Sequence, residues 1–230
     1  MKALLYKEFK LAMHPMCYVF IAVFPFMIIF PSTGYPITVG FIYVLSCYPV
    51  LFLGANKGQQ SNDLLFSTLL PVRKKDIVLA RVLTIVIMHA AFITLTSALV
   101  PVGLAIRNSI PLENGEPLFD VGFSLNSYPL VLGLVLLGYS IADLVFFTIY
   151  YKHGKSIVMS TLLMILGFVL YLGIFTVALP IILRETVVPN VDSLPLYIQF
   201  PALGLAIIIY CILHFVVYKV SSKELEQVDF

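Results

Sequence analysis

The chain has 230 residues, 60% of them hydrophobic and 11% charged, with a formal net charge of +2 and a mean hydropathy of +1.02. Soluble domains carry about 25% charged residues, so this composition excludes a single soluble core and assigns the chain to a bilayer. The net charge informs only through its distribution, and no nucleic-acid partner is expected.

The three cysteines, Cys17, Cys47 and Cys211, all lie inside apolar runs and read as small buried hydrophobes. No CxxC spacing suggests a metal or redox site. Tryptophan is absent, so tyrosine must supply most of any interfacial aromatic belt. No A-x-A-like cleavage site follows the first apolar run, and the N-terminus is expected to be retained.

The opening segment, MKALLYKEFKLAMH, has helical periodicity. Leu4, Leu5, Phe9, Ala12 and Met13 fall on one broad face, and Lys7, Lys10 and His14 cluster opposite. A basic amphipathic helix of this kind lies in the headgroup plane, with Lys7 and Lys10 anchoring it to membrane lipid. The plainer alternative is a simple basic anchor for the first span.

A helix needs about 20 apolar residues to cross the hydrocarbon core. Six runs qualify, at about 16–32, 36–55, 77–105, 128–150, 157–182 and 199–218. The expected fold is all-α: one polytopic domain of six transmembrane helices over residues 1–230. The first run is short and carries Pro25, which predicts a kink or an extension by the preceding segment. The third is long enough to tilt or to project beyond the membrane.

Between the second and third runs lies NKGQQSNDLLFSTLLPVRKKDIVLAR, residues 56–81. Ser61 or Asn62 can cap a short helix there. Leu64, Leu65, Phe66, Leu69 and Leu70 give it an apolar face, and Pro71 ends it. The basic cluster Arg73, Lys74 and Lys75 follows, and Asp76 can cap the next helix. The apolar face suits a groove on a partner protein. It equally suits the lipid interface, and the residues alone do not separate the two.

Lysine and arginine set the orientation. Lys2, Lys7, Lys10, Lys57, Arg73, Lys74, Lys75, Arg81, Lys152, Lys155, Lys219 and Lys223 fall on one side, and only Arg107 and Arg184 on the other. The positive-inside rule then puts both termini in the cytoplasm, as an even number of spans requires. The outer loop from Arg107 to Ser127 carries turn signals at Pro111, Asn114-Gly115 and Pro117.

Asp143 is the one acid well inside a span, about 10 Å from its cytoplasmic end at the helical rise per residue. It reads as a polar lining of a translocation path, together with Tyr139, or as a proton-linked site. Alternatively it is tied to Tyr139, Thr148 or a neighbouring helix. His89 and His214 also lie inside spans. Their linear spacing promises no further metal ligand, so polar packing is the expected role and no metal is expected. Gly154-Lys155-Ser156 imitates the end of a P-loop, but Ile149 stands where the loop needs its first glycine, and membrane runs flank it. Lys152, His153 and Lys155 read better as a short basic loop.

The chain resembles the membrane subunit of ABC-2-type exporters. The features that carry the resemblance are the start MKALLYKEFK, six spans, and the stretch DLLFSTLLPVRKKDIVLARVL leading into the third span. In style it is similar to small permeases of Gram-positive bacteria, including exporters of amphipathic peptides such as phenol-soluble modulins. The resemblance implies that residues 1–15 form an elbow helix. It implies that residues 61–70 form a coupling helix, docking on a separate ATPase subunit through Ser61, Asn62, Asp63, Leu64, Leu65, Phe66, Leu69 and Leu70. Arg73, Lys74 and Lys75 would anchor that loop to the inner leaflet. It further implies a second permease copy, most simply as a homodimer, a re-entrant piece near Val187–Tyr197, and ATP and magnesium bound only on the partner. The chain itself would carry no catalytic residue and no cofactor. The location would be the bacterial cell membrane.

Two other functions remain open at this point. An intramembrane enzyme acting on lipid or peptide would need a converging set such as Asp143, His89 and His214. Serines such as Ser97, Ser140 and Ser160 lie in spans, but no G-x-S-x-G elbow accompanies them. A vitamin-binding subunit of an uptake system also fits six spans, without needing an elbow or a coupling helix.

Overall fold

The computed structural model describes residues 2–29, 36–53, 72–109, 128–153, 157–174 and 195–227. Among these the chain is entirely helical. The expected coupling helix at 61–70, the Gly154-Lys155-Ser156 stretch, residues 110–127 of the expected outer loop and residues 187–194 of the expected re-entrant piece lie outside the described residues.

Helix α1 (Lys2–Lys7) continues as a π-turn over Glu8–Ala12, closed by the bond from the Met13 amide to the Glu8 carbonyl at 2.8 Å. Helix α2 (Pro15–Val23) starts on a proline in its first turn, where a missing N–H costs nothing. His14 caps it, its Nδ1 accepting from the Met16 amide at 3.2 Å. At Pro25 the chain tightens into a 3-10 turn over Phe24–Ile29, so the expected kink takes the form of a change of helix type. The 2–10 and 15–29 helices meet at 82°. The Tyr18 hydroxyl bonds across that corner to the Phe9 carbonyl.

The remaining helices are α3 (Pro36–Leu53), α4 (Lys74–Ser109), α5 (Tyr128–His153), α6 (Ile157–Gly173) and α7 (Leu196–Gln227). Helices α2 to α7 fall on the six apolar runs. Among the described residues three are long and apolar enough to cross a membrane, α4 (to Ile106), α5 (to Lys152) and α7. The bent N-terminal pair makes a fourth if it counts as one span, while α3 and α6 are shorter.

Helix α4 has 36 residues, about 54 Å of helix and far more than a bilayer core. It begins before Asp76, so that residue is not the cap expected of it. The Arg73 carbonyl accepts from the Asp76 and Ile77 amides, and Asp76 sits in the first turn, where a negative charge meets the positive end of the helix. Helix α7 likewise runs past its apolar stretch to Gln227, burying Ser221, Ser222 and Leu225.

Helix α5 is the hub, packed against α7 most extensively and also against α6 and α3. Lipid chains supply no hydrophobic drive between helices, so close packing of small residues matters more than in water. Gly138 on α5 lets the Phe168 ring of α6 approach: a Cβ there would lie 2.9 Å from Cε2. Gly40 on α3 admits the Tyr139 hydroxyl in the same way, again at 2.9 Å. Aromatic rings fill the interior, with Tyr43 stacked on Phe92 at 4.0 Å between α3 and α4.

One end of this bundle is held by ion pairs. Glu8 grips Arg81 with both carboxylate oxygens, at 3.0 and 3.3 Å, and their side chains are 6% and 7% exposed. Lys7 joins the same carboxylate at 3.7 Å. Lys7 is therefore not the headgroup-facing anchor expected from the helical wheel; it is buried beside Glu8. An isolated wheel cannot reveal an acid that draws its neighbour inward, and the π-turn at Glu8 also breaks the wheel's 3.6-residue period. Lys10 does stay exposed, its Nζ donating to the Tyr6 hydroxyl at 2.6 Å. At the same end Lys75 meets Glu226 of α7 at 3.3 Å, so both ends of the described chain gather at the start of α4.

Two stability predictions follow from this packing. Gly138→Val drives a side chain into Phe168 and is expected to lower stability by about 1–3 kcal/mol; Gly204→Ala, with nothing within 4 Å, should be neutral. Thermal unfolding in detergent micelles compares them. Arg81→Met leaves the buried Glu8 carboxylate only its longer contact with Lys7 and should cost roughly 3 kcal/mol. Adding Glu8→Gln to it should recover part of that loss in the same assay.

Candidate functional site

Asp143 lies nearly three turns inward from the α5 C-terminus, and Tyr139 sits one turn before it. On α7, Tyr210 and His214 have the same four-residue spacing. The two helices pack along their length, so each presents a pair of polar side chains to the other. His89 enters from α4 and Tyr48 from α3.

The contacts are close. His214 Nε2 lies 2.7 Å from Asp143 Oδ2, and His89 Nδ1 lies 3.6 Å from the same oxygen. His214 Nδ1 is 2.8 Å from the Tyr210 backbone carbonyl. A carbonyl only accepts, so Nδ1 carries the hydrogen and Nε2 is the nitrogen turned to Asp143. His89 Nδ1 is also 3.1 Å from the Tyr210 hydroxyl, and its Nε2 is 3.4 Å from the Tyr48 hydroxyl. The Tyr139 ring stacks on His89 with centroids 4.4 Å apart. Asp143, His89 and His214 are 0%, 1% and 7% exposed. The three donor atoms all lie within 4.8 Å of one another.

This geometry explains how a carboxyl group is tolerated at membrane depth. A lone charge there costs about 2.5–3.5 kcal/mol on insertion scales. Asp143 and His214 with one shared proton are together uncharged, whichever atom holds it. Two polar atoms at the site have no protein partner among the described residues, Asp143 Oδ1 and the Tyr139 hydroxyl. Asp143 is thus tied to a neighbouring helix, and Tyr139 meets it through His89 rather than by a bond of its own hydroxyl.

The expectation that His89 and His214 find no convergent ligand does not hold, because the chain folds three separate helices onto one point. Asp143 and Tyr139, singled out for a translocation path, lie enclosed within one copy of the chain. Two of the serines bond elsewhere: Ser140 Oγ donates to the Leu136 carbonyl of its own helix at 2.9 Å, and Ser97 Oγ is held between the Ile93 carbonyl and the Tyr128 hydroxyl. No Ser–His pair for acyl transfer is present among the described contacts.

Of the basic residues that follow the 56–71 loop, Arg73 is exposed and binds both oxygens of Asp76, at 3.0 and 3.2 Å. That contact raises its guanidinium further above its usual range. Lys75 is half-exposed beside Glu226. The contact sequence reasoning missed is Glu8–Arg81. Glu8 was visible as an acid within a basic helix, the one signal that it needs a partner.

His214→Phe is expected to leave Asp143 buried without its bond and to cost roughly 3 kcal/mol of stability. Asp143→Asn keeps a hydrogen bond to His214 and should cost nearer 1 kcal/mol, the scale of interhelical polar contacts in membranes. Thermal unfolding of the purified variants measures both.

No curated protein and no solved structure matches the chain. A family model described as "ABC-2 family transporter protein" matches residues 3–223, nearly the whole length. That match spans α1, residues 54–71, the long α4 and the α5–α7 polar site together. The chain belongs to the ABC-2 family and is a membrane permease of an ABC transporter.

Proposed function

We propose that the chain is the permease subunit of an ATP-driven exporter, working as a homodimer with a separate ATPase in the bacterial cell membrane. The family match over residues 3–223 carries this reading. In it, α2 to α7 are six spans, both termini are cytoplasmic, and α1 is an elbow helix lying along the inner leaflet. The 82° corner between the 2–10 and 15–29 helices suits a surface helix turning into a span. The cargo is an amphipathic substrate, peptide-like, lipid-like or drug-like.

Coupling is mechanical. Residues 61–70 dock on the ATPase, with Leu64, Leu65, Phe66, Leu69 and Leu70 as the buried face. A displacement of that segment reaches α4 within a few residues. It passes from α4 to α1 through Arg81 and Glu8, and to α7 through Lys75 and Glu226. ATP and magnesium bind the partner chain. Arg73 and Lys74 sit where anionic headgroups meet the start of α4.

The intramembrane-enzyme reading draws on the convergence of Asp143, His89 and His214. Their near-complete burial counts against it, since a substrate has to reach the reacting atoms. It requires Asp143→Asn to abolish turnover with assembly intact.

Leu64→Glu together with Leu65→Glu should abolish ATP-driven transport while the permease still folds and dimerises. The readout is ATP hydrolysis and substrate efflux in proteoliposomes containing the chain and an ATPase subunit that co-purifies with it. If the chain never co-purifies with an ATPase and those replacements change nothing, the exporter reading fails.

A further inference from the structure

We propose that His89, Asp143 and His214 form a binding site for a divalent transition-metal ion of the zinc type, clamping α4, α5 and α7 together. The inference rests on the donor set and its orientation, and stands independently of the transport reading.

Three features of the geometry point the same way. First, the donors are two imidazoles and a carboxylate, with their ligand atoms within 4.8 Å of one another. Imidazole suits zinc, nickel, copper and iron, whereas calcium needs six to eight oxygens. Second, the outer nitrogens are held. His214 donates from Nδ1 to the Tyr210 carbonyl at 2.8 Å, and His89 Nε2 faces the Tyr48 hydroxyl at 3.4 Å. Metal-ligating histidines are oriented by such second contacts, which fix the tautomer and aim the other nitrogen inward. Third, the inner atoms are mutually electron-rich. With the carboxylate ionised and the inward nitrogen of each imidazole unprotonated, three lone pairs face one point, where a divalent cation can take the place of the shared proton.

The spacing is within reach. Zinc bonds nitrogen and oxygen at about 2.0–2.2 Å, which sets ligands of a tetrahedron roughly 3.3 Å apart. His214 to Asp143 would widen from 2.7 Å, and His89 to Asp143 would close slightly from 3.6 Å. The widest of the three separations, up to 4.8 Å, would have to close by about 1.5 Å to reach the same value. The Tyr210 hydroxyl, 3.1 Å from His89 Nδ1, stands beside the fourth position. Asp143 Oδ1 has no protein partner among the described residues and can turn toward the ion.

The test uses the full chain, purified through a tag without histidines, in detergent and without chelator. Metal content by mass spectrometry should be about one zinc per chain. Cobalt added to chelator-treated protein should give the visible absorption of a tetrahedral site, and zinc should raise the unfolding temperature. Asp143→Asn and His214→Gln should lose the bound metal and the cobalt band while eluting as the wild type does. Tyr48→Phe should bind zinc about tenfold more weakly, because it touches only the orienting contact. The proposal is overturned if wild-type protein carries no more zinc than Asp143→Asn and shows neither cobalt absorption nor a zinc-dependent shift. That wild-type result decides the matter even where a variant fails to fold, and would leave a shared proton as the cluster's only cation.

Discussion

Hydrocarbon offers a polar group nothing to bond to, and the packing of this chain is organised around that constraint. Asp143 is the extreme case, fully enclosed on the hub helix α5. Its bond to His214 fixes the facing of α5 and α7, the most extensive helix pair in the protein. His89 brings α4 to the same point. The apolar packing around the cluster supplies most of the contact area. The cluster supplies the register, because sliding α7 by one residue would turn His214 away and strand a carboxyl group.

A second polar centre works at the end of the bundle, with different chemistry. Glu8 and Arg81 are a fully charged pair with bidentate geometry, a strong and directional contact. The interior cluster runs on imidazole and tyrosine, groups that exchange donor and acceptor roles. The contrast fits their positions. The rigid fork fixes the opening helical segment against α4 at that end. A crossing of three helices gains from contacts that can be rearranged without leaving a charge exposed to lipid.

The helices were largely legible in the sequence as apolar runs, which fall on α2 to α7, although among the described residues only three of them, or four with the bent N-terminal pair, are long and apolar enough to cross a membrane. Their ends were less so. Helix α7 extends to Gln227 because Leu225 and two serines find burial that hydropathy cannot see. Asp143, His89 and His214 were each noticeable as polar residues in apolar runs, but their meeting was not, since three different helices bring them together. Lys7 was misread for the same reason: a helical wheel knows only its own helix, and the acid that matters to Lys7 answers to Arg81, on α4. Residues 61–70, which carry the proposed contact with the ATPase, lie outside the described residues.

Both polar centres join residues far apart in sequence, Glu8 to Arg81 across 73 positions and Asp143 to His214 across 71. A chain made from its N-terminus presents Glu8 well before its partner, so during synthesis the opening helix must wait in water or among headgroups. Helix α5 faces a harder wait, since its carboxyl group enters lipid before the helix that satisfies it exists. Asp143 must go in protonated, or α5 must linger at the insertion machinery until α7 arrives. The chain therefore carries a built-in order of assembly: α1 and α7 are the helices whose docking depends on, or completes, a bond begun elsewhere. A truncation that removes α7 would leave α5 poorly inserted and marked for degradation.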